Sequence, residues 1–430
     1  MRMYDLIKKK RDGYSLSTKE IEFIVNGYVK GDIADYQMAA FLMAVFFRGL
    51  DERETYDLTM SMKNSGDTVD LSQIEGFKVD KHSTGGVGDK TTLVVLPIVA
   101  SYGVRIAKMS GRALGHTGGT IDKLESIPGL RTDLSEKEFL DVVNRAGFSI
   151  VGQTKNLVPA DKKIYALRDA TATVDQISLI AASIVSKKLA GGADGIVFDV
   201  KTGSGAFLKT LEESRKLASV MIKTVAHSSK KAVAVISNMD QPLGNMVGNA
   251  LEVFEAIQCL KGNGPEDLTE LSVTLAHEML NLAGINVSSE EIRDRIASGK
   301  PLEKFKSFVA LQGGDISYVE NPDKLLSNSK VFELRANEDG FVESINSELI
   351  GIASMVLGGG RSRKEDTIDH SVGIQVVKKL GDRVKPEDVL VRLYTSDKSD
   401  KIYAEKLIRE AYVIGSRKPN TTPVVLEVIR

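Results

Sequence analysis

Apolar residues in the first part of the chain recur at the spacing of amphipathic helices. Ser17 and Glu20, three residues apart, form a capping-box pattern, which predicts a helix that starts there and ends near Gly27. The stretch 51–66 begins with the same device, and the apolar run 37–47 is too short to span a bilayer and predicts a buried helix. The first 65 or so residues are therefore predicted to be helical.

The pattern changes after residue 74, where short apolar runs alternate with helical stretches. This alternation is typical of parallel strands joined by helical crossovers. A second helical passage, 161–192, interrupts it, and from 331 onward short strands and turns dominate. The runs predicted as strands of the parallel sheet are GFKV, VRIAKM, FSIVGQ, GIVFDVK and KAVAVIS.

These observations predict an α/β fold in which a small helical domain, made of two sequence segments, is hinged to a larger α/β domain with a β-rich C-terminal lobe. The helical domain takes its two segments from either side of the first α/β segment. The predicted boundaries are 1–68 and 161–193 for the helical domain, 69–160 and 194–330 for the α/β domain, and 331–430 for the lobe. The predicted hinges are 65–72, 158–163 and 191–195.

Composition narrows the function. The 430 residues carry a net charge of -1, and a general nucleic-acid binder would be basic, so we expect no nucleic-acid partner. The single cysteine, Cys259, excludes an internal disulfide and fits a reducing compartment. No apolar signal segment or membrane span is evident, so we expect a cytoplasmic protein without a membrane partner.

The segment 80–92, DKHSTGGVGDKTT, has the composition of a phosphate-binding loop. Such loops need glycines, which leave backbone N–H groups free to point inward, and a helix N-terminus behind them. Lys81, Ser83 and Thr92 add a charge and two hydroxyls. The loop is not a Walker A motif, because Ser83 stands where the first glycine belongs and Asp89 where the lysine belongs.

A second glycine-rich loop, 107–129, also follows a predicted strand. Loops at neighbouring strand ends of an α/β sheet face one ligand. Lys108, Ser110 and Thr120 supply a charge and hydroxyls to this second side. Arg112 has two interpretations, phosphate binding or an internal salt bridge with the acidic residues at 122 and 125.

Several long motifs resemble the thymidine and pyrimidine-nucleoside phosphorylases, in the order of that family and over nearly the whole chain. They are KHSTGGVGD at 81–89, SGRALGHTGGTIDKLE at 110–125, ADKKIYALRD at 160–169, SLIAASIVSKKLA at 178–190, DVKTGSGAF at 199–207 and QPLGNMVGNALEVFEA at 241–256.

The resemblance implies reversible phosphorolysis of pyrimidine nucleosides (uridine, thymidine, deoxyuridine) to free base and α-D-(deoxy)ribose 1-phosphate. The substrates would be inorganic phosphate and the nucleoside, the assembly a homodimer through the helical segments, and no organic cofactor is expected. The implied phosphate-binding residues are Lys81, Ser83, Thr92, Lys108, Ser110 and Thr120. The implied base-binding residues are Tyr165, Arg168, Ser183 and Lys187, with Arg168, Lys187 and His82 also as catalytic candidates.

The resemblance also implies a potassium ion, held largely by carbonyl oxygens. Its positions here are Gly88, Lys90, Leu243 and Met246, with the carboxylate of Glu255. Lys90 departs from the family, which has small or uncharged residues there. A lysine side chain turned toward these oxygens would repel or replace the ion.

Elementary chemistry agrees with these roles. Breaking the bond between sugar and base leaves negative charge on the base, so cations and hydrogen-bond donors near its carbonyls stabilise the transition state. Ser183 and Lys187, four apart on a predicted helix, can face one pocket, although a solvent-facing polar pair is the plainer interpretation of the spacing alone. His82 either protonates the leaving base or only positions it.

Three other interpretations stay open at this point. Lys108 matches the uridine-accepting relatives and predicts that uridine and thymidine are both cleaved, whereas a thymidine-restricted enzyme would usually carry methionine there. An anthranilate-type phosphoribosyltransferase shares the architecture, but it needs an acidic pair for magnesium near the loops, which we do not find. A non-catalytic nucleoside-binding protein is disfavoured because every polar residue of the implied site is present.

Overall fold

A computed structural model of the chain describes residues 1–112, 118–154, 156–361, 363 and 366–430. The helices are α1 Met3–Arg11, α2 Thr18–Lys30, α3 Asp35–Arg48, α4 Glu52–Lys63, α5 Thr91–Ala100, α6 Thr120–Leu124, α7 Glu136–Ala146, α8 Pro159–Ala170, α9 Ile177–Ala190, α10 Leu211–Ala226, α11 Asn249–Leu260, α12 Glu266–Leu282, α13 Ser289–Ala297, α14 Lys300–Leu311, α15 Ser317–Glu320, α16 Ser347–Ser354 and α17 Lys401–Ala411.

The strands are two to eight residues long. They are β1 Val79–Ser83, β2 Ile106–Ser110, β3 Phe148–Gly152, β4 Gly195–Thr202, β5 Lys231–Asn238, β6 Met246–Val247, β7 Lys330–Arg335, β8 Gly340–Ile345, β9 Gly373–Val376, β10 Arg383–Val384, β11 Val389–Thr395, β12 Tyr412–Gly415 and β13 Val425–Ile429.

Two segments of the chain build one helical domain, as predicted. Helices α1–α4 pack with α8 and α9 around a shared apolar core in which Phe41 and Val45 of the first segment join Ile164 and Leu179 of the second. The capping box of Ser17 begins α2 as predicted.

Two details of this helical region differ from the prediction. Helix α2 does not end near Gly27 but continues to Lys30. The predicted burial of α3 holds for one face only, because Phe41 is buried while Phe47 is 76% exposed.

The α/β domain has a parallel sheet at its centre. Strand β4 lies between β1 and β5 in parallel register, and β2 pairs in parallel with β3. A bridge between Lys78 and Arg105 places β2 beside β1. The five predicted strands therefore lie side by side in the spatial order β3–β2–β1–β4–β5. Helix α5 is buried at every position, and the carboxyl ends of β1 and β2 lead into the two glycine-rich loops.

The C-terminal lobe has two antiparallel sheets, β10–β8–β12 and β6–β9–β11–β7, and its core includes residues of α16 and α17. The β-rich lobe is thus present, with helices that the sequence analysis did not anticipate. Strand β13 leaves the lobe and pairs antiparallel with β5 of the α/β sheet. Among the described residues, no helix is both long enough and apolar enough to cross a bilayer.

Candidate functional site

The first glycine-rich loop, 84–90, connects the end of β1 to the start of α5. Gly85 and Gly88 have φ angles of +90° and +73°, a region that favours glycine. A Cβ atom on Gly88 would lie 2.7 Å from the carbonyl oxygen of Leu243. Both the backbone conformation and the close approach of segment 241–247 therefore require glycine at this position.

A cleft of about 460 Å³ lies where this loop faces α8 and α9 of the helical domain. The sheet side and the helical side each contribute polar groups. The lining residues predicted for the site are His82 and Ser83 on one side and Tyr165, Arg168, Ser183 and Lys187 on the other. The structure thus brings all four predicted base-binding residues together with the phosphate loop.

Lys81 lies beneath the cleft in a fully buried ion pair. Its Nζ is 3.0 Å from Asp199 Oδ2 and donates to Thr91 Oγ1 at 2.5 Å, while Lys201 Nζ lies 2.8 Å from the same carboxylate oxygen. Burial acts to lower the pKa of Lys81, but the Asp89 and Asp199 carboxylates outweigh it and raise that pKa. The charged Lys81 therefore stabilises the carboxylates next to the glycine-rich loop. Its direct contact with phosphate remains a prediction.

Ser83 is the one predicted phosphate ligand among the described lining residues. Its hydroxyl donates to Asp89 Oδ2 at 2.5 Å and accepts from the Gly85 N–H at 3.1 Å. Burial would raise the pKa of Asp89, yet the Lys201 and Lys81 ammonium groups hold it well below its usual value. An anion that binds Ser83 must therefore compete with a permanently ionised carboxylate for the hydroxyl proton.

Lys108 is also buried under β1 rather than exposed in the cleft. Its Nζ donates to the Lys81 carbonyl oxygen at 2.5 Å and lies 3.5 Å from Asp80 Oδ1, while Lys188 Nζ is 2.7 Å from Asp80 Oδ2. Burial is the main cause that lowers the pKa of Lys108 to about 7, and Asp80 only partly opposes it. Lys108 thus releases its proton far more readily than an exposed lysine does.

The other three predicted phosphate ligands lie at element ends. Thr92 is the second residue of α5 and is buried, Ser110 ends β2, and Thr120 begins α6. Residues 113–117 of the second loop lie outside the described residues. The relation of these three hydroxyls to phosphate stays a prediction.

Of the two interpretations of Arg112, the structure shows the internal salt bridge. Its guanidinium pairs with both carboxylate oxygens of Glu125, at 2.5 and 2.6 Å, and lies 3.2 Å from the buried Asp122. Arg361 of the C-terminal lobe reaches the same Asp122 at 2.8 Å. Arg112 still lines the cleft, with its charge largely matched by carboxylates.

On the helical side, Ser183 and Lys187 face the same cleft from successive turns of α9, as their spacing predicts. Lys187 Nζ donates to Ser183 Oγ at 2.9 Å and to Asp161 Oδ2 at 2.6 Å. The solvent-facing interpretation of the pair is therefore wrong. Asp161, at the start of α8, fixes the position of the ammonium group.

Arg168 is held by the backbone around it. Its guanidinium donates to the carbonyl oxygens of Thr173 and Leu179, each at 3.2 Å, and to that of Val174. Burial lowers the pKa of Arg168, although the group stays charged, since an arginine pKa starts above 12. Arginine has five N–H donors, so donors remain for a ligand. Tyr165 lies with its ring 5.7 Å from the guanidinium carbon.

His82 is half-buried at the end of β1, with its ring edge-on to Phe198 at 6.5 Å. Burial, followed by the charges of Lys188 and Lys108, holds the pKa of His82 well below its ordinary value. The imidazole is therefore neutral in the free protein. A neutral ring can donate one hydrogen bond and accept another, which favours the positioning role over that of a pre-protonated acid.

The five residues implied for potassium do come together, but around a different cation. Lys90 Nζ donates to the carbonyl oxygens of Leu243 and Met246, at 2.9 and 2.6 Å, and to Glu255 Oε2 at 2.6 Å. Gly88 packs against the same carbonyls. Because an ammonium group lies among these oxygens, the residues present do not fit a potassium ion in that position.

Sequence reasoning missed several charged residues of the site. Asp199 and Lys201 are two apart on β4 and so face one side of the sheet, where they meet Lys81. Their signal was available in the motif DVKTGSGAF, which places two charges in a strand otherwise buried. Asp161 and Arg361 carried no local signal, since each meets its partner only in the folded chain.

Comparison with known sequences gives three domain matches. Residues 4–66 match the helical bundle domain of the glycosyl transferase family, residues 75–301 its a/b domain, and residues 341–415 the pyrimidine nucleoside phosphorylase C-terminal domain. The pyrimidine-nucleoside phosphorylase of Geobacillus stearothermophilus is 56% identical over 92% of both chains, and that of Bacillus subtilis is 54% identical over 92% of both.

A solved structure shares the fold at much lower identity. Anthranilate phosphoribosyltransferase from Thermus thermophilus superposes with a TM-score of 0.59 at 19% identity, covering 72% of this chain and 99% of that one. At such identity the likeness concerns architecture alone.

Proposed function

Because the chain belongs to the pyrimidine-nucleoside phosphorylases, we propose that it catalyses the reversible phosphorolysis of pyrimidine nucleosides, with inorganic phosphate as the second substrate. A phosphate oxygen forms a bond to C1′ of the sugar while the bond from C1′ to the base nitrogen breaks. The base leaves with the electron pair of that bond and takes up a proton. The products are the free base and α-D-(deoxy)ribose 1-phosphate, which makes the protein a pentosyltransferase.

The observation that carries this proposal is the composition of the cleft. One wall is a glycine-rich loop at the end of a parallel strand, and the other presents Arg168, Ser183 and Lys187. Phosphate placed at the loop and a base placed at the helices leave the sugar between them. This arrangement holds the two reactants in the orientation that the displacement needs.

The helical wall is suited to the charge that develops on the base. The Lys187 ammonium and the remaining donors of Arg168 are cationic groups held in place before the substrate arrives, by Asp161 and by backbone carbonyls. Such prepositioned donors stabilise a developing anion without reorganising. Neutral His82, beside the phosphate loop, donates a hydrogen bond to a carbonyl oxygen of the leaving base.

The substrates proposed are uridine, thymidine and deoxyuridine. Lys108 is the residue that separates this chain from thymidine-restricted enzymes, and it acts on the sugar site indirectly, since its ammonium contacts the Lys81 carbonyl and Asp80 under β1. The phosphoribosyltransferase alternative is not favoured, because its support is the shared architecture alone.

We propose a cytoplasmic homodimer formed through the helical domain. Helices α1 and α3 leave an apolar groove lined by Ile7, Met43 and Phe47, with Phe47 76% exposed. A second copy of this chain is the proposed occupant. Phe47→Asp is expected to give a monomer in light scattering, whereas Ile402→Asp, at a residue 83% exposed on the C-terminal lobe, leaves the dimer intact.

The test of the reaction is release of free base from uridine, thymidine and deoxyuridine, with and without inorganic phosphate, followed by chromatography. The expected result is phosphate-dependent release from all three, with ribose or deoxyribose 1-phosphate in equal amount. Release from thymidine and deoxyuridine alone would restrict the substrate range. Release without phosphate, or none from any nucleoside, would contradict the proposed function.

A further inference from the structure

We propose that the Lys90 ammonium group is a built-in monovalent cation, so that this chain positions its phosphate loop without potassium. The replacement of an ion by Lys90 is tested by thermal stability alone, whereas its effect on the phosphate loop and on kcat/KM rests on the proposed function. Lys90 is the residue immediately before α5, and its side chain crosses to segment 243–246 and to Glu255 of α11.

The number of donors matches the number of acceptors. A lysine ammonium has three N–H donors and no acceptor. Lys90 Nζ has three oxygen partners: the Leu243 carbonyl at 2.9 Å, the Met246 carbonyl at 2.6 Å and Glu255 Oε2 at 2.6 Å. The side chain of Lys90 is fully buried and that of Glu255 is 5% exposed. Two carbonyls and a carboxylate out of contact with water need a positive charge between them, and here the chain itself supplies it.

The Glu255 carboxylate has further partners, and the space on its Gly244 side is crowded. Glu255 Oε2 also accepts from the Met246 N–H, and Oε1 accepts from the Asn245 N–H at 2.8 Å. A Cβ atom on Gly244 would already lie 2.3 Å from Glu255 Oε2 and 3.2 Å from Lys90 Nζ. An additional ion would therefore meet both steric crowding and the repulsion of a like charge in a poorly solvated site.

A second lysine ties the other side of the same segment. Lys379 Nζ donates to the carbonyl oxygens of Pro242 and Gly244, at 2.6 and 2.7 Å, and to Asp267 Oδ2 at 3.0 Å. Four carbonyl oxygens of this segment, those of Pro242, Leu243, Gly244 and Met246, thus accept hydrogen bonds from two tethered ammonium groups. This repetition indicates that tethered ammonium groups, rather than free ions, organise this segment.

Lys90 is a positioning residue, since it acts on the phosphate loop through its neighbours. Its backbone N–H donates to the Gly88 carbonyl at 3.0 Å, and the adjacent residues, Asp89 and Thr91, both join the ionic network around Lys81. A shift of the Lys90 side chain would move these groups. Misplacement of about 1 Å costs on the order of a hundredfold in rate in other enzymes.

The experiment compares potassium chloride with choline chloride at equal ionic strength. For the unmodified protein, the melting temperature and kcat/KM for uridine are expected to be the same in both salts. Lys90→Ser removes the ammonium and opens the oxygen set to an ion. In choline this variant is expected to melt at a lower temperature and to lose about tenfold or more in kcat/KM, with both values recovering as potassium is added.

Lys10→Ser is the matched control. Lys10 is also a buried lysine that pairs with a glutamate, Glu54, at 2.7 Å, but both oxygens it contacts belong to that carboxylate. Its removal is expected to lower the melting temperature equally in both salts, because it opens no set of carbonyl ligands. The comparison separates filling of the Lys90 site from general effects of salt.

A saturable rise in melting temperature or kcat/KM of the unmodified protein with potassium, absent with choline, would overturn the proposal. So would a folded Lys90→Ser variant that matches the unmodified protein in choline. If Lys90→Ser does not fold in either salt, the salt comparison on the unmodified protein decides alone. Absence of activity toward every nucleoside would contradict the proposed function, while the melting temperatures would still test the inference.

Discussion

The ammonium group of Lys187 lies 2.6 Å from the carboxylate of Asp161, and this contact joins α9 to the start of α8 in the helical wall of the cleft. The side chain of Asp161 is 7% exposed and that of Lys187 21%, so the pair is shielded from water but open to a ligand. The Ser183 hydroxyl oxygen accepts a second hydrogen bond from the same ammonium group, at 2.9 Å. The third N–H of the ammonium group can donate a hydrogen bond to a carbonyl oxygen of the substrate.

Removing this ammonium is predicted to impair the reaction and also to destabilise the fold, because it leaves the buried Asp161 carboxylate without its cation. Lys187→Ala is expected to lower kcat/KM for uridine and thymidine by about a hundredfold, because a prepositioned cation near the leaving base is lost. The melting temperature serves as the second measurement and is expected to fall, so kcat/KM is compared at a temperature where the variant is fully folded. Lys162→Ala, at an exposed lysine next to Asp161 in sequence, is the control and should keep full activity. Equal kcat/KM for both variants would remove Lys187 from the mechanism.

His82 is predicted to be uncharged in the free protein at pH 6.5. Its pKa is lowered by burial first and by Lys188 and Lys108 next, so the ring binds a proton only in more acidic solution. A bound phosphate dianion would offset the lysine charges and raise this pKa. Nitrogen NMR of the labelled ring, assigned with His82→Asn, measures both values. A charged ring without phosphate at pH 6.5 would contradict this assignment of the proton.

Lys108 is predicted to make stability depend on pH. The pKa of Lys108 is about 7 in the folded protein and 10.5 in its ordinary state. Between these values the unfolded chain holds a proton that the folded chain has released, so the free energy of unfolding contributed by Lys108 rises with pH across this window and is constant below it.

The measurement is denaturant unfolding of the unmodified protein and of Lys108→Met over the same pH series. Titrating groups that do not interact with Lys108 cancel in the difference, which is expected to shift in favour of the unmodified protein by about 1.4 kcal/mol per pH unit at most within the window. The substitution removes the cost of burying a charge near neutral pH, where it should therefore be least harmful. A difference that does not change with pH would place the Lys108 pKa near its ordinary value.

Gly66, in the proposed hinge 65–72, is predicted to be important for stability because it packs closely against the chain at 156–159. A Cβ atom there would lie 2.1 Å from the Asn156 carbonyl oxygen and 2.3 Å from Pro159 Cδ. Gly66→Ala is expected to lower the free energy of unfolding by about 2 kcal/mol, because the backbones must separate. The measurement is denaturant unfolding.

Gly191→Ala provides the contrast at another proposed hinge. Gly191 has an ordinary helical φ of -69°, and an added Cβ would meet its nearest atoms at 3.5 Å, a normal contact. This variant is expected to be neutral or slightly more stable, since alanine restricts the unfolded chain. An unchanged free energy of unfolding for Gly66→Ala would mean that the crowding at Gly66 is relieved without cost.

Local sequence predicted the helices and strands well where the signal was itself local. The Ser17 capping box and the apolar runs of the sheet are properties of neighbouring residues, and they are present in the fold. The prediction that α2 ends near Gly27 was wrong because the glycine was interpreted as a helix-ending residue. In the structure Gly27 lies inside α2, where a Cβ would approach Cδ1 of the Ile33 side chain to 2.8 Å. A glycine required by a close neighbour and a glycine required by φ look alike in a sequence.

The site was predictable in membership and less so in geometry. His82, Ser183 and Lys187, which the family motifs name, line one cleft in the structure, and their roles stay predictions. The direction of a buried lysine was not predictable, because Lys81 and Lys108 turn toward carboxylates and carbonyls that come from other strands. Alternation along a strand tells which face a side chain takes, but its charged partner is set by register across the sheet.

Strand β13 has a consequence for how the chain folds as it is synthesised. The residues of β13, 425–429, follow the whole C-terminal lobe in sequence, yet they cover the outer edge of β5, residues 231–238. At about 5–20 residues per second, that edge stays open on the ribosome for on the order of ten seconds or more. An uncovered strand edge pairs readily with other chains. A nascent chain of this protein therefore exposes the β5 edge to pairing with other chains until β13 has been synthesised.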